Sequence, residues 1–280
     1  MMRIPTVYGV IERRILVNYR VRRDVLARVL PAPFEPKVVA DDWGMVGICL
    51  IRLKEIRPRF WPARWGIWSE NAAHRMAVQW RVGDEWREGV YIPRRDTSSW
   101  LNHWAGGRIF PGVHYRAEFG VEEVDGRYDV GLVSEDGETR MRVVGEVVDA
   151  WPRGSLFETV AEASAFFEAG SLGYSATKKA GCFDGLTLHT EAWAVAPMRV
   201  LEVSSSYFED RERFPEGAIE FDCALLMEDI PHEWRGEEML KRDLINDDEL
   251  LTGARTLRER TADYQIDDGT LTEAKNEGRL

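Results

Sequence analysis

The apolar positions of this chain fall into many short runs with a two-residue period, and only two stretches carry a helical period. Trp43 to Leu53 is a near-continuous apolar run, and Ala72 to Val82 alternates through Met76, Val78 and Trp80. Gly89 to Ile92 is a further short strand that leads into Pro93-Arg94-Arg95. Val113 to Glu122, Tyr128 to Val133 and Met141 to Val148 are separated by Asp125-Gly126 and Asp136-Gly137, which read as hairpin turns. Leu186 to Val195 and Met198 to Tyr207 complete the strands. The first helix is predicted over Arg22 to Leu30 and is stopped by Pro31 and Pro33. A second is predicted from Ser155, where Ser155 and Glu158 match a capping box and Leu156, Val160, Ala163, Phe166 and Phe167 form an apolar stripe ending at Gly170. Without regular strand–helix alternation, a mainly β fold with a mostly antiparallel, closed sheet is expected rather than a doubly wound one.

From about Gly236 the character changes. The last 45 residues carry twelve acidic against seven basic side chains and few aromatics. They read as a solvated tail with helix around Glu237 to Leu251, which sets a domain over 1–235 and a tail over 236–280.

Composition narrows the function classes. Apolar residues make up 44% of the 280, with eleven tryptophans, enough for a sizeable core. A net charge of -11 argues against binding nucleic acid, because phosphate neutralisation needs a cationic surface. Cys49, Cys182 and Cys223 are far apart and odd in number, so buried free thiols are expected rather than a disulfide framework or zinc ribbon. No window approaches about 18 uninterrupted apolar residues, so no membrane span is expected, and a cytoplasmic location is the default. No histidine pair has compact metal-ligand spacing, and neither a metal nor a cofactor is expected.

Several blocks, in order, resemble the acetoacetate decarboxylase-like superfamily, and within it the YqjF-like branch. They are LVNYRVRRDVLARVLPAPFEP, WSENAAHRMAVQW, WREGVYIPRRD, GGRIFPGVHYRAEF, SLFETVAEASAFF and LTLHTEAWAVAPMRVLEV, which together span most of Ile11 to Tyr207. The resemblance implies a cone-shaped closed β-barrel of the acetoacetate decarboxylase-like type, with a few flanking helices around a buried pocket. The family's active strand carries two adjacent lysines, one of which attacks the substrate ketone. Here those positions are Arg94 and Arg95. An arginine stays protonated at ordinary pH and cannot form that imine.

The expected chemistry is therefore non-covalent capture of a small organic acid. Adjacent strand residues point to opposite faces, and by the family match Arg94 is taken as the inward anchor, since a guanidinium binds carboxylate through paired hydrogen bonds. A structural ion pair, for instance with Glu70, is the plain alternative. Glu70 matches the family's acidic pocket residue and is the first candidate for proton transfer, with Asn71 beside it as a ligand contact. His189 shares a strand face with Glu191 and Trp193, and His114 lies in the family-like block, so both are further proton carriers. Arg13 (or Arg14, one register away) and Arg108 complete the ligand-binding candidates. Lys178 and Lys179, the only adjacent lysines, read as a surface turn or, as an alternative, a relocated nucleophile. The reaction class implied is a lyase, hydratase or isomerase acting on an oxo or hydroxy acid; a barrel that binds without catalysis, or a decarboxylase with a displaced lysine, are the other readings. A homo-oligomer is left open.

Overall fold

Four long strands hold the molecule together, and each is buried on both faces. They are β1 (Val7–Arg22), β4 (Trp43–Pro58), β5 (Ile67–Val82) and β13 (Ile219–Gly236), seen in a computed structural model that describes residues 6–58, 62, 66–108 and 111–241. Two-sided burial follows from the alternation of side chains along a strand. Ile15 and Val17 enter one core and Leu16 the other; Ile48 and Leu50 oppose Cys49 and Ile51; Ala224 and Leu226 oppose Cys223 and Leu225.

The remaining elements are α1 (Arg23–Val29), β2 (Glu35–Pro36), β3 (Val38–Ala40), β6 (Glu85–Thr97), α2 (Trp100–Ala105), β7 (His114–Val124), β8 (Arg127–Ser134), β9 (Arg140–Val147), α3 (Val160–Ala169), β10 (Leu172–Ala176), β11 (Cys182–Thr190), β12 (Ala196–Ser205) and β14 (Leu240–Lys241). In the sheet, β13, β1, β4, β5 and β6 pair in that order, each antiparallel to the next. At β6 the sheet forks: Val90–Ile92 pairs in parallel with β10, and Arg95–Thr97 pairs in parallel with β7. The β7 route runs through β8, β9 and β12 back to β13, and the β10 route runs through β11 back to β13. Strand pairing thus closes on itself by both routes, and the closed, mostly antiparallel sheet expected from the sequence is present.

Local chemistry explains several joints. Asp125 (φ 50°) and Gly126 (φ 76°) both adopt the left-handed region, as a two-residue hairpin turn between β7 and β8 requires. Gly89 lets β10 approach, because a Cβ there would stand 2.5 Å from the Leu172 carbonyl oxygen.

Three sequence expectations change. The second helix starts at Val160, not Ser155: Thr159 is its N-cap and accepts from the Glu162 amide, while Ser155 donates to Asp222 at 2.6 Å. The Ser155–Glu158 spacing matched a capping box, but the buried Asp222 carboxylate takes the Ser155 hydroxyl instead. Strands β1 and β13 carry no clean alternation and were not predicted from pattern. Leu240–Lys241 pairs with Cys182–Phe183 as a short strand where helix was expected, and residues 242–280 of the predicted tail lie outside the described residues.

Candidate functional site

The β1–β4–β5–β6 wall carries doublets of polar residues, and strand alternation splits each doublet between the two faces. On one face Glu70 is buried and accepts from Arg13 Nη2 and from Arg52 Nε, both at 2.6 Å. Arg13 also pairs with Glu123, which accepts from Arg52 at 3.0 Å. Arg94 lies on that face too. Its Nη2 donates to Asp96 at 2.8 Å and to Asp136 at 2.9 Å, and its guanidinium sits 4.2 Å from the Tyr115 ring centroid. Burial opposes the Arg94 charge, but its hydrogen bonds to the two carboxylates outweigh it and raise its pKa. Both Glu70 and Arg94 are thus already matched to opposite charges within the protein.

The other face carries Arg14, Asn71, Arg75 and Arg95, and these line two adjoining chambers, each about 80 Å³. The first is lined by Asn71, Asn102, His114 and Arg95, the second by Arg14, Cys49, Arg75 and Arg95; Ile51, Ala73, Leu186 and Trp234 are shared walls. A water needs about 10–15 Å³ on this measure, so each chamber admits several heavy atoms.

What sets these arginines apart is the absence of a carboxylate partner among the described residues. Arg14 Nε donates to Cys49 Sγ at 3.2 Å, and its guanidinium lies 5.3 Å from the Trp193 ring centroid. Arg75 Nη2 donates to Asn18 Oδ1 at 3.1 Å, while its Nε is buried without a partner. Asn18 is oriented for this, because its amide donates to the Leu16 carbonyl at 3.1 Å and the Cys223 carbonyl at 3.3 Å. Arg95 Nε donates to Ser175 Oγ at 3.0 Å. Burial pulls both Arg75 and Arg95 down to about 10. Both remain cations at neutral pH.

His114 borders the first chamber. Burial, with Arg95 next to it, pulls its pKa down to about 3, so the ring is neutral. Its Nδ1 lies 3.2 Å from the Gly112 carbonyl oxygen, which can only accept; the proton therefore sits on Nδ1 and Nε2 is left as a lone-pair acceptor. Gly112 (φ 74°) makes the turn that brings His114 here; a Cβ on it would stand 2.5 Å from that of Ser175. Asn71 is fixed by donating to Ser69 Oγ at 2.9 Å and by accepting from Thr97 Oγ1 at 2.7 Å.

The sequence candidates therefore divide. Asn71 and His114 line the first chamber. Arg94 was expected to face inward, yet Arg95 does so. Arg13 was preferred over Arg14, yet Arg14 lines the second chamber. Glu70 belongs to the ion network on the opposite face. His189 is exposed in an outer groove with Glu55 and Arg57, because β11 turns the apolar Leu186 and Leu188 inward. Arg108 is exposed and donates to the Trp104 carbonyl. Lys178 and Lys179 are exposed in the turn after β10, and among the described residues no lysine lines either chamber. Arg75 and Cys49 were missed. A signal was available for Arg75, since it shares parity with Asn71.

A closed sheet of this topology around paired chambers is the acetoacetate decarboxylase-like fold. An acetoacetate decarboxylase from Legionella pneumophila is similar over 82% of this chain and 86% of its own, at 11% identity and a TM-score of 0.52. The enduracididine biosynthesis enzyme MppR, in complex with pyruvate, is similar over 87% and 92%, at 11% identity and a TM-score of 0.51. An acetoacetate decarboxylase-like enzyme from Sphingomonas wittichii is similar over 86% and 93%, at 12% identity and a TM-score of 0.50. No curated protein matches by sequence. The DUF2071 family model, described as an uncharacterized conserved protein, matches residues 11–221, and the chain belongs to that family. The superfamily resemblance read from the sequence holds. No helix among the described residues is long and apolar enough to cross a membrane.

Proposed function

We propose that the paired chambers bind a small organic acid without covalent attachment, through Arg14, Arg75 and Arg95. The observation that carries this reading is three inward guanidiniums that, among the described residues, pair with no carboxylate; Asp96, on the wall of the first chamber, is held by Arg94 instead. A buried cation without a counter-charge is costly, and an arriving carboxylate relieves it. No imine can form at the position of the family lysines, because arginine offers no neutral amine. An oxo or hydroxy acid is the first class to test, since MppR, of the same fold, is described in complex with pyruvate.

His114 is the proton carrier in this reading. His114 borders the chamber with Nε2 as its free lone pair, and a bound carboxylate next to Arg95 would offset the repulsion that adds to burial in disfavouring its protonated form. That suits a lyase, hydratase or isomerase step at a carbon beside the acid group. Binding without turnover is the second reading, favoured by Glu70, which is held by Arg13 and Arg52 on the opposite face.

Thermal melting of wild type and Arg95→Met in a panel of oxo and hydroxy acids tests the binding. Wild type is expected to gain several degrees from at least one acid and the variant to gain none. Equal gains in both would reject Arg95 as an anchor. Proton NMR in deuterated water separates the two readings: exchange of the α-hydrogens that His114→Asn abolishes supports catalysis, and no exchange in wild type supports binding alone.

A further inference from the structure

Resting on that anion-binding reading, we infer that the ligand is a dianion with its two acidic groups at opposite ends of an apolar body, a dicarboxylate rather than a simple monoacid. The charges favour it. Arg14 and Arg75 are nine-tenths buried or more, and Arg75 Nε has no partner among the described residues. A monocarboxylate would leave two of the three guanidiniums uncompensated and a dianion only one, and desolvated charge of that kind is what folded proteins avoid.

The placement of the cations argues for two ends rather than one compact anion. Arg95 on β6 borders both chambers, whereas Arg14 on β1 and Arg75 on β5 border only the second. Beside Arg95 the first chamber adds the neutral polar groups Asn71, Asn102 and His114, and also Asp96, whose carboxylate accepts from Arg94. Between these polar ends the shared wall is Ile51, Ala73, Leu186 and Trp234, which suits methylene or other apolar carbon. One carboxylate then pairs with Arg95 within reach of His114, and the other lies between Arg14 and Arg75. Only the end near His114 faces a proton acceptor, so the second carboxylate serves to hold and orient.

Titration calorimetry on the full chain at constant ionic strength tests this. The probes are straight-chain dicarboxylates from four to eight carbons, the matching monocarboxylates, and inorganic phosphate. One dicarboxylate is expected to bind at least tenfold more tightly than the monoacid of equal length. Arg75→Met should erase that margin, bringing diacid affinity to within threefold of the monoacid's. If the variant does not fold, the wild-type ladder decides alone. Equal binding of monoacids and diacids at every length overturns the inference while leaving the anion cavity intact, and so does phosphate binding more tightly than every diacid. No binding by any of these anions overturns the cavity reading itself.

Discussion

Replacing Arg75 by methionine is expected to stabilise the ligand-free protein. Arg75 is 7% exposed, and burial lowers its pKa from the ordinary arginine value to about 10. At 1.36 kcal/mol per unit, the folded state disfavours the charged form by about 3 kcal/mol. The sign is fixed by the direction of the shift. At neutral pH the group is charged in both states, so the full penalty is present, and it is relieved only above about pH 10, where the folded form gives up its proton. Methionine removes the charge and keeps most of the volume. Against this, Asn18 Oδ1 loses the hydrogen bond from Arg75, at a cost of about 1 kcal/mol, and the contact at 5.8 Å from the Phe167 ring centroid loses about half that. A net gain of about 1–2 kcal/mol remains, worth roughly 2–8 °C in melting temperature for a domain of this size. Urea unfolding at pH 7, with both proteins free of organic acids, measures it. A midpoint below that of wild type would show that the guanidinium is compensated within the protein, and the case for an external anion would fall with it. The same substitution should reduce stabilisation by added dicarboxylates, so gained stability and lost diacid binding would appear in one variant.

The other perturbations should behave differently. Glu70→Gln leaves Arg13, 1% exposed, with Glu123 alone, and should cost about 3 kcal/mol in urea unfolding without changing acid affinity; lost affinity with unchanged stability would put Glu70 in the site after all. Arg94→Ala strands Asp96, which is 0% exposed, and should also cost about 3 kcal/mol while acid binding persists. Burial holds His74 and His114 down at about 3 and His232 at about 4, against about 6.5 unfolded, so below pH 6.5 the unfolded chain takes protons that the folded one refuses. Stability should therefore fall by about 2 kcal/mol per histidine between pH 7 and pH 5, and His74→Gln should reduce that fall by about one histidine's share; identical pH slopes for variant and wild type would contradict it.

Much of the fold was legible because one-sided strands announce themselves. Residues 128–133 and 140–143 alternate, with Val130, Leu132, Met141 and Val143 buried, and Asp125-Gly126 marks the turn that precedes them. Strands β1 and β13 were hidden by the opposite circumstance. Buried on both faces, they show no period of two, and each carries charge in mid-strand. In β13, Glu228 accepts from the Tyr128 hydroxyl at 2.8 Å, Asp229 from Lys54 at 2.9 Å, and Pro231 follows. Each interruption is answered by a partner far away in sequence, which no local pattern reveals.

The site was legible as a set of doublets but not as a choice within each. Arg13-Arg14, Glu70-Asn71 and Arg94-Arg95 are doublets on β1, β5 and β6 of one wall, and a one-residue difference in parity exchanges the faces. The residues that might have fixed parity on β5, Ala72 and Ala73, are both small, buried and apolar, so they point neither way. On β11 the signal was present: Leu186 and Leu188 alternate with Thr187 and His189, and the apolar parity turned inward. The three doublets share one physical logic. Arg13 and Arg94 are matched to carboxylates on one face and brace the wall, whereas Arg14 and Arg95, with Arg75 between them, pair with no carboxylate among the described residues on the other. Bracing the sheet would not require the second set, because a well-packed apolar side chain of similar volume would serve at lower cost. Their retention on the chamber side makes sense when the missing negative charge is brought in by a ligand.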